Sequence, residues 1–312
     1  MRRNTLSALV FGSAVAVLLS AVPASAQATR TFISGVGNDA DVCSRTAPCR
    51  TFAGAIVKTF INGEINCLDP GGFGVVTITK SITIDCTGTL GSDLATGTTG
   101  VIVNIAVNAN DPTRSVRLRG ITINGTGASG AVGTRTGIDG IRILQANSVF
   151  VEDSVIAEFS QQGIEVAATN NVNLTLDNVV IRNTNVAGVT MATTAGQVVA
   201  SFNNVRIDGT PIALSAANRV RANIRNVTLG HNTTGIQTSG VDNIINADNM
   251  MVSFATTGVL GSAGSTVRVS NSVITQNSTG LNPNGGSIVS MSGNSLTGNT
   301  ANGAFSATVP KL

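Results

Sequence analysis

The sequence predicts an all-β solenoid, with short parallel strands stacked coil on coil. Three observations carry this. From Gly140 to Asn302 the chain repeats itself about every 23 residues, and a fixed period of that length marks a repeat array. Each copy opens on Gly followed by alternating aliphatics, as in Gly140-Ile141-Arg142-Ile143, Gly163-Ile164-Glu165-Val166 and Gly188-Val189-Thr190-Met191. The starts fall at 140, 163, 188, 211, 235, 258 and 280, with Pro211 standing where Gly is missing. The second half of each copy alternates too, as in Val149-Phe150-Val151-Glu152, Leu174-Thr175-Leu176-Asp177 and Val267-Arg268-Val269-Ser270. Period-two alternation places one face inward and one outward, which is a strand pattern. No segment of the array keeps apolar residues at helical spacing. One such repeat cannot bury its apolar face alone, so successive copies stack and pair in parallel. A leucine-rich repeat shares the period, but its fixed Leu positions are here mostly Val, Ile, Ala and Met.

Two Asn columns predict stacking in register. Asn178, Asn204, Asn226, Asn249, Asn271 and Asn294 recur at one place in successive copies. Asn185, Asn232 and Asn277 recur three residues before the next Gly. Asn tolerates left-handed turns and bonds its neighbours in a ladder, so both columns read as turn chemistry.

The Gly-Ile-x-Val and Val-x-Val-x-Asn-x-Val coils resemble those of right-handed parallel β-helix proteins of the pectin-lyase-like superfamily. Ser34-Gly35-Val36-Gly37-Asn38-Asp39, the Cys43–Cys49 segment and Thr51-Phe52-Ala53-Gly54-Ala55-Ile56 resemble the capping segment that opens many secreted members. The resemblance spans about residues 30–303. It implies a right-handed parallel β-helix and leaves activity open, because that fold carries lyases, hydrolases and non-enzymatic proteins.

Taken in order, Arg2 and Arg3, the apolar run Leu6–Val22 and Ala24-Ser25-Ala26 read as a signal peptide over 1–26. Cleavage leaves no membrane span and takes the formal charge from +3 to +1. A nearly neutral chain argues against nucleic acid, which needs a concentrated basic patch. The destination is secreted or periplasmic, where disulfides persist. The four Cys allow three pairings. Cys43–Cys49 and Cys67–Cys86 are favoured, the second because Glu64-Ile65-Asn66-Cys67 and Thr83-Ile84-Asp85-Cys86 end alike. Residues 27–66 then form a disulfide-stapled cap. Within it Phe52, Ile56 and Phe60 at four-residue spacing predict an amphipathic capping helix over Thr51–Phe60. The β-helix is expected over 67–303, with an excursion near Gly125–Gly137 and a tail over 304–312. That short tail leaves the last coil's edge open to another chain, so oligomerisation there is an expectation.

Chemistry is sparse. Arg142 and Glu165 occupy one slot in adjacent coils, and Glu152 and Asp177 another. Opposite charges in a column make surface ladders worth little. Two stacked acids repel unless something intervenes, so Arg142, Glu152, Glu165 and Asp177 are the catalytic candidates. No cofactor or metal is expected, calcium entering only if the chain is a lyase, where it would neutralise a uronate. His231, the one His, reads as a turn residue lacking the partners a site needs. Phe150, Phe159, Phe202 and Phe254 read as core, and no Trp or Tyr offers a sugar platform. The expectation is an exported, non-catalytic structural or glycan-contacting surface or periplasmic protein. Its alternative is a polysaccharide lyase or glycoside hydrolase acting on uronate-containing polymers.

Overall fold

A computed structural model describes residues 27–126 and 134–310. The expected signal peptide, part of the expected excursion and the last two residues lie outside them. The chain is a parallel β-solenoid of two sheets. The narrow sheet holds nine strands, from Val76–Ile78 through Ile141–Gln145, Gln162–Ala168 and Ala187–Thr193 to Thr279–Asn284, each paired with the next coil. The broad sheet holds the rest, including Ser148–Ala157, Val172–Arg182, Val198–Asp208, Val220–Gly230 and Asn243–Ser253. Pairing is parallel and in register, so Val149, Leu174, Ala200 and Ala222 line up as one inward column.

Each long strand bends at one residue in the left-handed region. These are Asp153, Asn178, Asn204, Asn226, Asn249 and Asn271, with φ between 48° and 54°. Short polar side chains tolerate that conformation and then bond along the axis. The Asn178 amide donates to Asp153 Oδ1 at 2.7 Å, Asn204 to Asn178 at 3.0 Å and Asn249 to Asn226 at 2.7 Å. The last coil differs from the sequence reading, because Gly293 takes the bend at φ 73° and Asn294 sits one place on. There Asn294 Oδ1 accepts from the Ser272 backbone N–H at 3.0 Å. In the second column, Asn232 and Asn277 likewise accept from backbone N–H groups of the preceding coil, those of Thr210 and Ala255.

The opening Gly of each copy is a matter of space. A Cβ on Gly140 would stand 2.5 Å from the Gly163 carbonyl oxygen, and one on Gly163 would stand 2.7 Å from that of Gly188. In the remaining coil Ala213, two residues after Pro211, holds this column, since Val189 pairs with Leu214.

The capping helix is not formed as expected. Helical backbone is confined to the single turn Phe52–Ile56, with Thr51 as its N-cap, and Thr59 and Phe60 already belong to the strand Thr59–Cys67. Strand pairing wins because Thr59–Cys67 is held on both edges, by Ala28–Ile33 and by Ile82–Asp85. Burying Thr59 against the Thr31 hydroxyl at 2.8 Å leaves Phe60 facing outward. Ala28–Ile33, rather than a helix, therefore covers the first coil. Both expected disulfides form, Cys43–Cys49 and Cys67–Cys86. At the other end Ala307–Thr308 pairs with Val289 and Ser290, and Phe305 packs on the core.

The core is mostly aliphatic, with Phe52, Phe73, Phe159 and Phe202 among its buried side chains, and one carboxylate enters it without a partner. Asp93 points inward from Gly91–Leu94, in register with Ile123, and is 1% exposed. Neither of its carboxylate oxygens has a hydrogen-bond partner, and burial pushes its pKa up to about 7.

Candidate functional site

The four candidate residues separate into two pairs on different sheets. Glu152 and Asp177 lie on the broad sheet, and Arg142 and Glu165 on the narrow one. Their register makes each pair adjacent, but the fold does not bring the two pairs together.

On the broad sheet Glu152 pairs with Arg117 and with Arg119, the latter at 3.0 Å. Arg117 also lies 4.6 Å from the centre of the Phe150 ring, so Phe150 faces outward and is not core. Asp177 accepts from the Asn203 amide at 2.8 Å. On the narrow sheet Arg142 Nε lies 2.8 Å from Glu165 Oε2. Asp139, buried one residue before Gly140, accepts from the Gln162 backbone N–H at 3.1 Å. Burial raises the Asp139 carboxyl above its usual range, outweighing that bond and the Arg142 charge. Burial and the Asp139 charge likewise raise Glu165 against the pull of Arg142. Among the described residues no three His, Cys, Asp or Glu side chains gather as a metal-holding group.

A groove of about 940 Å³ runs along the corner where each coil passes from the broad sheet to the narrow one. It extends from Asn183 to Thr300. A second left-handed column forms its rim, namely Asn183, Gly209, His231, Phe254, Gln276 and Gly298. Its other side carries Pro211, Thr233, Thr256, Ser278 and Thr300, one per coil. His231 and Phe254 stack with ring centres 5.0 Å apart and planes 9° from parallel. Phe254 is 53% exposed, so it is a groove residue and not core, whereas Phe159 and Phe202 are buried as expected.

His231 has the left-handed backbone of a turn residue, but it is not without a partner. Its Nδ1 lies 3.0 Å from Oδ1 of Asp208, whose other oxygen accepts from Arg206 at 2.7 Å. Burial pushes the Asp208 carboxyl up, but the bonds from Arg206 and His231 outweigh it and hold it below its ordinary value. The signal for this site is in the period. Counting back 23 residues from Phe254 gives His231, and 23 more gives Asp208.

No protein-family profile matches the sequence, and no curated protein matches it. Solved structures do. The chain is similar to pectate lyase Pel9A, with a TM-score of 0.57 and 13% identity over 85% of this chain and 69% of that one. It also matches a rhamnogalacturonan lyase (TM-score 0.39, 10% identity, 84% and 72% of the two chains). A third is the GH136 lacto-N-biosidase from Eubacterium ramulus (TM-score 0.33, 7% identity, 90% and 67%). The last two superpose too loosely to add to the argument. Stacked parallel coils, the bend column and the first superposition agree, and the chain has the pectate-lyase-like parallel β-helix fold.

Proposed function

We propose that the protein is a non-catalytic, glycan-contacting β-helix protein of the cell exterior or periplasm, and that a glycan chain lies along the corner groove. The observation that carries this is the lining. Amides, hydroxyls and the exposed His231–Phe254 stack face the groove, and among the described residues no carboxylate lines it. Amides and hydroxyls match sugar hydroxyls, and an exposed aromatic ring offers apolar contact to sugar C–H groups. Glycoside hydrolysis asks for two carboxyl groups flanking the bond, which this lining does not supply. Two disulfides fit an oxidising compartment, and among the described residues no helix is long and apolar enough to cross a membrane.

The test uses the chain from Gln27 with acidic and neutral polysaccharides, with and without calcium. Gel retardation by a polysaccharide, lost in His231→Ala and Phe254→Ala, is the expected outcome, with no new reducing or unsaturated ends. Product formation at this groove would overturn the proposal.

A second reading, a polysaccharide-active enzyme, is favoured by Asp139 and Glu165 on the narrow sheet. Glu165, raised by burial and by the buried Asp139 charge, sits beside Arg142 and suits a proton donor. It predicts product in the same assay, abolished by Glu165→Gln, and a calcium requirement if the products are unsaturated.

A further inference from the structure

The electrostatics of the groove bear on which glycans it takes, a question that rests on the glycan-contact reading above. Two basic side chains line it, Arg135 and His231, and each already has a carboxylate behind it. Arg135 Nε lies 3.0 Å from Glu158 Oε2, its Nη1 donates to Asn185, and its side chain is 6% exposed. Two of its nitrogens are thus engaged within the protein, and little of the side chain reaches solvent.

His231 is engaged differently. Asp208, held ionised by Arg206 and His231, has only acceptors to offer. In the neutral imidazole the proton must then sit on Nδ1, which leaves the Nε2 lone pair as an acceptor. The charged groups around the ring are Asp208, Arg206 bound to it, and Arg182, the register partner of Asp208, which lies on the broad sheet outside the lining. Glu158 offsets Arg135 and Asp208 offsets Arg206. The rest of the lining is uncharged, with hydroxyls at Thr233, Thr256, Ser278 and Thr300.

A polymer with a carboxylate on every sugar would bring negative charge toward Asp208 and Glu158, and the arginine in the lining, Arg135, is already ion-paired with Glu158 and barely exposed. A neutral sugar brings hydroxyls, which donate to Nε2 and to amide oxygens and accept from Thr and Ser. We infer that this groove selects neutral glycans over uronate polymers, with His231 Nε2 accepting from a sugar hydroxyl and Asp208 as the positioning residue that fixes the tautomer.

The test is equilibrium binding at neutral pH and low salt to linear neutral oligosaccharides (cello-, manno- and chito-oligomers) and to oligogalacturonate. We expect one neutral series to bind at least about tenfold more tightly than oligogalacturonate. His231→Ala should lose about tenfold in affinity, and His231→Gln, which keeps an acceptor, should recover part of it. Asp208→Asn frees Arg206 and should strengthen oligogalacturonate binding several-fold, a gain that a merely structural role for Asp208 would not produce. Thermal unfolding of each variant shows that it is folded. Preference for oligogalacturonate, lost in His231→Ala, overturns this inference and leaves the glycan-contact reading standing. Absence of any His231-dependent glycan binding takes down both.

Discussion

Glu152 and Asp177 are register partners on neighbouring coils, yet their carboxylates engage opposite neighbours along the axis. Glu152 reaches back to Arg117 and Arg119, and Asp177 reaches forward to Asn203. Acids stacked about 4.8 Å apart would otherwise repel. Arg119 also contacts Asp85 at 3.0 Å, so Asp85, Arg119, Glu152 and Arg117 form a chain of alternating charge. Glu152→Ala leaves two arginines side by side and is expected to lower stability by about 1 kcal/mol. Asp177→Ala should change it by roughly 0.5 kcal/mol or less. Denaturant unfolding of the two variants makes the comparison, and equal effects would contradict this arrangement.

Asp93 makes stability depend on pH. Its carboxyl is raised from 3.8 to about 7 by burial, so the folded chain keeps a proton that the unfolded chain has lost. Stability is therefore full below the unfolded value, falls as pH rises toward about 7, and levels off above it. The span amounts to about 4 kcal/mol. The unfolding midpoint should drop between about pH 4 and pH 7 in the wild type and much less in Asp93→Leu. Parallel pH profiles for the two proteins would refute this.

Phe254 carries a bulky side chain at φ 56°, in a column otherwise filled by Glu, Asn, His, Gln and Gly. Holding an aromatic residue there costs about 1–2 kcal/mol, and such strain collects at functional sites. Phe254→Gly relieves it but loses the stack on His231, worth about 1 kcal/mol. Stability should move by less than about 1 kcal/mol while glycan affinity falls several-fold. Thermal unfolding and gel retardation, run side by side, read both.

The Cys67–Cys86 bond closes a loop with a sequence separation of 19, tying the first coil to the second. The paired Cys67→Ser, Cys86→Ser variant should lose about 3 kcal/mol. The Cys43–Cys49 pair closes a shorter loop and should cost about 1 kcal/mol less. Unfolding with and without reductant gives both values.

Residues whose partners lie one period away are legible in the sequence. The Gly starts, the Asn bends and the Arg142–Glu165 contact all follow from a step of about 23 residues. The early coils hide more. Arg117 meets Glu152 across 35 residues, and Asp93 pairs with Ile123 across 30, because these coils carry longer connections that break the period. Asp93 thus gives no sign of being a core position. The Thr51–Phe60 pattern misleads because four-residue spacing of apolar groups also fits a single turn running into a strand, and spacing alone cannot register the edge pairing that decides between them. His231 and Phe254 escape a reading of one residue at a time. A site built from successive coils shows itself only when columns, not neighbours along the chain, are compared.

Register across coils has a consequence for how such a chain changes over generations. Ile212 pairs with Thr234 and Leu214 with Ile236, so excising residues 213–234 would set Gly235 where Ala213 stood and leave the flanking ladders aligned. Loss or duplication of one whole period is thus a topologically silent event, whereas loss of a single residue would turn an inward row out to water. Groove length is in this sense quantised. It is counted in coils rather than tuned by side chains, and a lineage can shorten or extend its reach along a glycan without inventing a new strand pairing.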